Sequence, residues 1–263
     1  MPRTIFITGA SSGIGRALAL HYARTADVLA LTGRDAARLQ AVADECRDSG
    51  ATIRSGLIDV RHREEMAEWI ADLDRASPID LVIANAGSMA GTTPTGDLEP
   101  AEAGYEAVET NALGVLNTVQ PLLQAMTARG RGQIAIVSSI AAFVPLPDSP
   151  SYCASKSAVL AYGLSLRAAL APRGIRVSVI CPGYVRTPMM LREQGSKPFA
   201  ILPERAAALI ATGLERNRPV IAFPRVFALA TRIHGLLPDR VRRLLLQRSR
   251  FTVAGRSSDQ CRS

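Results

Sequence analysis

Short apolar runs alternate along this chain with longer segments in which apolar side chains recur at helical spacing. Because helices that alternate with strands carry the chain back across a sheet, this order predicts parallel strands covered by helices on both faces. We therefore predict an α/β fold with a doubly wound parallel sheet in a single domain. The predicted strands are 4–7, 28–32, 52–58, 80–84, 133–137, 176–180 and 220–223, and the predicted helices are 16–23, 36–46, 61–75, 101–129, one that begins near residue 151, and 203–216.

Length and composition narrow the class of protein. With 263 residues, of which 48% are hydrophobic, the chain can bury one large core. The first strand begins without a preceding cleavable signal pattern, and no apolar run approaches the roughly 20 residues that cross a bilayer. We therefore expect a cytoplasmic protein. The four cysteines and three histidines have no metal-ligand spacing, so we expect neither a metal site nor a disulfide framework.

The positive charge is concentrated at the C-terminus. Residues 1–223 contain 22 basic and 21 acidic side chains, whereas residues 224–263 contain nine arginines and two aspartates. The net charge of +8 therefore does not indicate that the main domain binds nucleic acid. We divide the chain into a domain, 1–223, and a basic amphipathic extension, 224–263.

Apolar residues recur at helical spacing in the first part of this extension, 224–250. One interpretation is a helix that lies on an anionic membrane surface, which would make the protein membrane-associated. The other is a helix that packs on its own domain or on a partner subunit, with a disordered basic end from about Gly255. The sequence leaves both open.

A glycine-rich turn joins the first predicted strand to the first predicted helix, and residues 8–15 read Thr-Gly-Ala-Ser-Ser-Gly-Ile-Gly. Glycines let the backbone turn sharply and approach a pyrophosphate, while the amides at a helix N-terminus present partial positive charge to it. The segment therefore predicts a dinucleotide site. The residues that would form it are Gly9, Ser11, Ser12, Gly13, Ile14 and Gly15.

Three residues separate Gly9 from Gly13, which differs from the usual G-x-G-x-x-G pattern. This spacing resembles the fingerprint of the classical short-chain dehydrogenase/reductase family. The resemblance implies a Rossmann-type sheet, a nicotinamide cofactor and oxidoreductase activity. It also implies a homodimer or homotetramer formed through two long helices.

The residues after the second strand bear on the choice between NADP and NAD. Arg34 lies about 20 residues past the glycine turn, where an acidic residue binds the ribose hydroxyls of NAD and an arginine accepts the 2′-phosphate of NADP. Asp35 could be that acid, but it directly precedes a helical run, and we interpret it as an N-cap. We therefore predict NADP(H) over NAD(H). Ser12 does not support this preference for NADP, since some NADP-preferring relatives carry a basic residue at its position.

Three further segments match the cofactor contacts of the family. Asp59 and Val60 follow the third strand, where the family's aspartate hydrogen-bonds the adenine amino group; for Asp59 a helix cap is the alternative. The resemblance also implies that the backbone of Val185 and the hydroxyl of Thr187, after the sixth strand, orient the nicotinamide carboxamide. The residues that match after the fourth and sixth strands are Asn85, Ala86, Gly87, Pro182, Gly183, Val185 and Thr187.

The strongest chemical signal is Tyr152 with Lys156, four residues apart on one helix face, so that both can act on one substrate. Lys156 is one of only two lysines in the chain. Ser139 lies 13 residues before Tyr152, which is the family's spacing for its active-site serine and favours Ser139 over Ser138. With Asn111, in the middle of a long predicted helix, these residues complete the family's catalytic tetrad, and the tyrosine and lysine also contact the cofactor.

The resemblance implies a mechanism for these four residues. Tyr152 is the general acid in reduction and the general base in oxidation, with its pKa lowered by Lys156. Ser139 binds the substrate oxygen, and Asn111 holds a water that links Lys156 to solvent. We predict an NADP(H)-dependent ketoreductase that acts on a small-molecule carbonyl or alcohol. The alternatives are an NADP sensor without catalysis and an NAD-dependent alcohol dehydrogenase.

Three loops are expected to line the substrate pocket. They are residues 88–100, 141–150 and 188–202, of which the last is predicted to be a mobile lid. Their mixed apolar and polar character excludes neither a lipid-like ketone nor a keto sugar.

Overall fold

The computed structural model describes residues 4–224, 238, 240 and 251–254. Its main sheet has seven strands in the order β3-β2-β1-β4-β5-β6-β8, and all of its paired neighbours are parallel. The strand order reverses direction between β1 and β4, and the predicted doubly wound sheet is therefore confirmed. The strands are β1 Thr4–Thr8, β2 Val28–Gly33, β3 Thr52–Leu57, β4 Leu81–Ala84, β5 Gly132–Val137, β6 Ile175–Pro182, β7 Glu193–Gln194, β8 Val220–Phe223 and β9 Thr252–Val253.

Helices cover both faces of the sheet, and their apolar stripes pack on the central strands, which are buried on both sides. One face carries α1 Gly13–Ala23, α2 Ala36–Arg47 and α8 Pro203–Glu215. The other carries α3 Arg63–Ala76, α5 Gly114–Arg129 and α6 Pro150–Leu170, while α4 Ala101–Val108 precedes α5 and α7 Pro188–Arg192 follows β6. Two apolar cores result, one on each side of the sheet.

The long helix predicted for residues 101–129 is interrupted. Between α4 and α5, residues Glu109–Leu113 form a π-helical turn that contains the buried Asn111. The interruption is located where the sequence places an asparagine, a poor residue for a helix interior because its amide competes with the backbone.

The segment predicted as a lid, 188–202, has regular structure that the sequence analysis did not predict. A parallel β-bridge between Val185 and Ile201 connects the residues just before this segment to its C-terminal end. Beyond α7, the segment continues as β7, which pairs antiparallel with β9 from the C-terminal extension. The extension thus returns to the main domain at residues 251–254.

The predicted amphipathic helix of the extension lies largely outside the described residues, as does the predicted disordered end. Within the described part of the chain, no helix combines the length and apolar character that spanning a membrane requires.

Candidate active site

The glycine turn lies between β1 and α1, at the carboxyl edge of the sheet. Gly9 and Gly13 have φ angles of 64° and 56°, in the left-handed region that favours glycine. A β-carbon on Gly15 would lie 2.2 Å from the carbonyl oxygen of Gly9. The side chain of Ser12 makes no capping hydrogen bond to α1, and the first turn of that helix has no acidic residue. The turn is therefore a cradle that fits the diphosphate of a dinucleotide.

Asn85 holds this turn in position. Its side-chain amide donates to the carbonyl oxygens of Thr8 and Gly9 at 2.9 and 3.1 Å. The backbone amides of Asn85 and Ala86 donate to the Thr8 hydroxyl at 3.0 and 3.2 Å. These bonds bring the end of β4 against the glycine turn. The side chain of Asn85 thus supports the cradle, and its predicted contact with the cofactor stays a prediction.

Arg34 lies at the end of β2, with Nη1 3.4 Å from a carboxylate oxygen of Glu106 and 3.6 Å from one of Asp59. Asp35 accepts a hydrogen bond from the backbone amide of Arg38 at 2.9 Å and is the N-cap of α2. This bond, together with the Arg38 side chain, holds the pKa of Asp35 below its usual range. The interpretation of Asp35 as a helix cap is confirmed.

Asp59 is held mainly by Arg61, whose guanidinium donates to Oδ2 at 2.7 and 3.0 Å and whose backbone amide donates to Oδ1 at 3.0 Å. Burial acts to raise the pKa of Asp59, but these bonds and the charge of Arg34 outweigh it and hold that pKa low. His62, rather than Asp59, is the N-cap of α3. Val60 is buried beside it. A predicted adenine contact by Asp59 would therefore compete with Arg61.

A cleft of about 360 Å³ opens beside the glycine turn. Ser11, Ser12 and Gly13 line it together with Arg38 and Arg186, and the sequence analysis assigned neither arginine to the cofactor. Glu45 and Glu204 line the same cleft, and Arg38 is ion-paired with Asp35, so these carboxyl groups offset part of the positive charge that the arginines offer to a phosphate. Arg186 could have been found from its position inside the segment assigned to the nicotinamide.

Tyr152 and Lys156 lie one turn apart near the start of α6. The Ser139 side chain lies close enough to the Tyr152 phenol to act on its ionisation. The hydroxyl of Ser138 instead donates to the main-chain oxygen of Lys156 at 2.7 Å and ties β5 to α6. The structure therefore places Ser139, rather than Ser138, against the Tyr152 side chain.

Lys156 is buried, and its Nζ donates to the main-chain oxygen of Val137 at 3.0 Å and lies 5.8 Å from the centre of the Tyr152 ring. Burial lowers the pKa of Lys156 to about 8. Burial also raises the pKa of Tyr152 to about 12, although the Ser139 side chain acts to lower it. In this structure the loss of solvation thus outweighs the lowering of the Tyr152 pKa that was expected from Lys156.

Asn111 joins the π-helical turn to its surroundings. Its amide nitrogen donates to the main-chain oxygen of Ser88 at 2.9 Å and to the hydroxyl of Ser155 at 3.0 Å, and its Oδ1 accepts from the Ser88 amide at 2.9 Å. A β-carbon on Gly87 would lie 3.0 Å from this Oδ1 and 3.5 Å from Nζ of Lys156. Asn111 and Lys156 therefore meet at Gly87. Both amide hydrogens are used, so the predicted water could be held only by an oxygen of Asn111.

The segment after β6 crosses over the glycine turn. Pro182 ends β6, and the Gly183 amide donates to the carbonyl oxygen of Phe223, the last residue of β8, at 2.7 Å. The hydroxyl of Thr187 caps α7, and its methyl carbon lies 3.0 Å from the position of a β-carbon on Gly13. The bridge at Val185 uses the backbone of the residues on either side of it. Val185 and Thr187 thus lie between the glycine turn and the lid segment.

Residues 251–254 connect all three loops that the sequence analysis assigned to the substrate pocket. The sequence signal that could have found them is the short run Phe251-Thr-Val253, which has high strand propensity. The Phe251 amide donates to the Asp148 carboxylate at 3.0 Å. The Val253 amide donates to the Thr92 carbonyl oxygen at 2.7 Å, and the Ala254 amide donates to the Arg192 carbonyl oxygen at 2.8 Å.

Comparison with known proteins agrees with this geometry. The family model for short chain dehydrogenase matches residues 3–197. An uncharacterized oxidoreductase of Myxococcus xanthus is 37% identical over 90% of this chain and 93% of its own length. A short-chain dehydrogenase from Sphingobium yanoikuyae, solved in complex with NADPH, superposes with a TM-score of 0.77 at 27% identity, over 94% of this chain and 96% of that one.

The bulky-bulky ketone specific alcohol dehydrogenase from Comamonas testosteroni superposes with a TM-score of 0.76 at 26% identity, over 95% of each chain. The matched residues 3–197 include the glycine turn and the segment with Ser139, Tyr152 and Lys156. The chain belongs to the short-chain dehydrogenase family, and it is an oxidoreductase of alcohol or ketone groups that uses a nicotinamide cofactor.

Proposed function

We propose that this protein is an NADPH-dependent carbonyl reductase in which Tyr152 is the general acid. The observation that carries the proposal is that the Ser139 hydroxyl lies close enough to Tyr152 to act on its ionisation, so that two hydroxyl groups are available to one substrate oxygen. Lys156 supplies a buried positive charge 5.8 Å from the centre of the phenol ring. This set of groups suits proton donation to a carbonyl oxygen.

A bound nicotinamide supplies the hydride that the carbonyl carbon receives. Ser139 donates a hydrogen bond to the carbonyl oxygen and stabilises the negative charge that develops there. Tyr152 gives its phenolic proton to that oxygen. Burial raises the pKa of Tyr152 to about 12, so the phenol keeps its proton at neutral pH and gives it up only as negative charge develops on the carbonyl oxygen.

Lys156 and Asn111 complete the proton path in this proposal. The ammonium of Lys156 stabilises the phenolate that Tyr152 leaves behind. Asn111, which meets Lys156 at Gly87, holds the water through which Tyr152 regains a proton from solvent.

The proposed cofactor contacts follow the sequence assignment, with Arg38 and Arg186 added from the structure. Arg34 supports NADP(H), because the neighbouring Asp35 is engaged as a helix cap and does not offer an acid to the ribose hydroxyls. One observation favours the alternative of NAD(H): Glu106 and Asp59 lie 3.4 and 3.6 Å from the Arg34 guanidinium and offset its charge.

Titration of the protein with NADPH and NADH, followed by fluorescence, tests both parts of this proposal beside the Tyr152→Phe variant. We expect tighter binding of NADPH, similar binding by both proteins, and ketone reduction by wild type alone. The loss of the general acid should lower the rate about 10²- to 10⁴-fold. Tighter binding of NADH contradicts the NADP assignment, and equal turnover by Tyr152→Phe contradicts the catalytic one.

We also propose a homodimer or homotetramer formed through the long helices. Exposed apolar side chains on these helices support this proposal: Tyr105, Val108, Leu113 and Leu164 are between 38% and 72% exposed. Light scattering tests it, and a monomer at micromolar concentration contradicts it.

Contact of residues 224–250 with anionic lipid remains a second proposal for the extension. Residues 251–254 pack on the main domain, which supports the alternative that the extension packs on its own domain. Sedimentation with anionic vesicles tests lipid contact: the full chain should sediment and a chain that ends at residue 223 should not.

A further inference from the structure

Glu193 is a buried carboxyl group that the proposed mechanism does not use. It belongs to β7, and its register partner is Val253 of β9. Only 5% of Glu193 is exposed, whereas the next residue, Gln194, is exposed. The pairing of the two short strands thus turns the Glu193 side chain inward, on the side of the lid segment that faces the rest of the domain.

One oxygen of this carboxyl group lacks a partner. The Glu193 side chain is hydrogen-bonded to Tyr184, but Oε1 is enclosed and has no hydrogen-bond partner among the described residues. A buried acceptor without a donor destabilises a folded protein, and its presence in a native structure calls for an explanation. A donor that arrives with the substrate would provide one.

The strand that pairs with Glu193 places this donor at the substrate pocket, because Val253 bonds to Thr92 and Phe251 bonds to Asp148, in two of the loops assigned to that pocket. Tyr184 follows the end of β6, and its pKa is raised by burial, by Glu193 and by the nearby Tyr152. Glu193 lies close enough to Tyr152 to act on its ionisation as well. The carboxyl group, the Tyr184 hydroxyl and the reacting phenol therefore occupy one neighbourhood.

The charge around Glu193 favours a neutral donor over a cation. Lys197 lies within electrostatic reach of Glu193 and already provides an opposite charge. A substrate ammonium group would add a second cation at the same carboxylate. A hydroxyl group would give Oε1 its missing hydrogen bond without adding charge.

We propose that Glu193 is a specificity residue that accepts a hydrogen bond from a substrate hydroxyl group, so that the substrates are ketones with a hydroxyl group remote from the carbonyl. This inference rests on the proposed reductase function. Tyr184 and the pairing of β7 with β9 position the carboxylate, and the substrate hydroxyl takes the place of the missing donor.

Two matched series of ketones test the proposal: straight-chain 2-ketones with a terminal hydroxyl at increasing distance, and the same ketones without it. At the best chain length, wild type should show a kcat/KM at least about 10-fold higher for the hydroxylated ketone. Glu193→Leu should bring this ratio close to one, and Glu193→Gln, which keeps an acceptor oxygen, should retain most of it. Gln194→Leu, on the exposed side of β7, is the matched control and should keep the wild-type ratio.

Wild type that reduces both series equally at every length would overturn the proposal, and so would a Glu193→Leu variant that keeps the preference. Thermal unfolding gives a readout that does not require turnover. Because Glu193→Leu also removes the partner of the Tyr184 hydroxyl, it is made in a Tyr184→Phe background for this measurement. If Glu193 serves recognition, the double variant should unfold at the temperature of Tyr184→Phe or above, because it removes an unpartnered buried oxygen; a clearly lower temperature would show a structural role and overturn the proposal. Failure of wild type to reduce either series contradicts the reductase function itself, and the unfolding result then decides the role of Glu193.

Discussion

Residues 251–254 can be removed without disturbing the glycine turn, so they provide a test of how the substrate pocket is held together. We compare a chain that ends at residue 250 with a control chain that ends at residue 254 and lacks only 255–263. The shorter chain loses the backbone hydrogen bonds to Thr92, Asp148 and Arg192. It also loses the side chains of Phe251 and Val253, which are 7% and 6% exposed.

The expected loss of stability is small because favourable and unfavourable contributions nearly cancel. The three amide bonds and the bond from the Arg192 side chain to Ala254 contribute about 1 kcal/mol each. The two buried apolar side chains contribute together about 4 to 5 kcal/mol. Fixing the backbone of 251–254 costs about 6 kcal/mol. The net loss of about 2 to 3 kcal/mol corresponds to a fall in Tm of roughly 5 to 10 °C.

The effect on substrate should be larger than the effect on cofactor. Without β9, the loops at Thr92, Asp148 and Arg192 lose their common connection, so kcat/KM for a ketone should fall at least about 10-fold. The Kd for NADPH, measured by fluorescence titration, should stay within about 2-fold of the control, because residues 251–254 do not contact the glycine turn. An unchanged kcat/KM in the chain that ends at 250, or a lost affinity for NADPH, would refute this reasoning.

Three other predictions concern the cofactor site and the proton path. Arg34→Ala should weaken NADPH binding about 10- to 100-fold and leave NADH binding nearly unchanged, since it removes a charge-assisted contact to the 2′-phosphate; equal weakening of both nucleotides counts against it. Asp35→Ala is its neighbouring control and should lower the unfolding free energy by about 1 kcal/mol through loss of the cap, without a change in the ratio of the two affinities. Gly15→Ala should abolish NADPH binding, because its β-carbon would lie 2.2 Å from the Gly9 carbonyl oxygen; retained binding would show that the cradle can widen. For ketone reduction, kcat/KM should fall as pH rises through about 8, because the Lys156 ammonium loses its proton there; a profile that stays flat to pH 10 is incompatible with this role.

The parts of the fold that the sequence predicts are those whose signals are local. The central strands β1, β4, β5 and β6 are apolar runs buried on both faces, and glycine at Gly9 and Gly13 is required by the backbone angles of a single turn. Asp35 as a helix cap was predictable because it depends on the intrinsic preference of one residue, whereas the periodicity of residues 101–129 did not predict the π-helical turn at Asn111.

What the sequence could not predict depends on contacts between distant segments. Glu193 pairs with Val253 across 60 positions, and no local pattern shows that two strands of two residues each will meet. The raised pKa of Tyr152 likewise follows from burial, which the spacing to Lys156 does not reveal. The motif that assigned Asn85 to the cofactor did not show that its side chain also holds the glycine turn.

The most direct test of the central claim is to follow the hydride itself. Wild type and Tyr152→Phe are incubated with a ketone and with NADPH that carries deuterium at the transferred position of C4, and the product alcohol is analysed by mass spectrometry. We predict one deuterium at the carbinol carbon with wild type and about 10²- to 10⁴-fold less labelled alcohol with Tyr152→Phe. Alcohol without deuterium, or equal amounts of labelled alcohol from both proteins, would contradict the account.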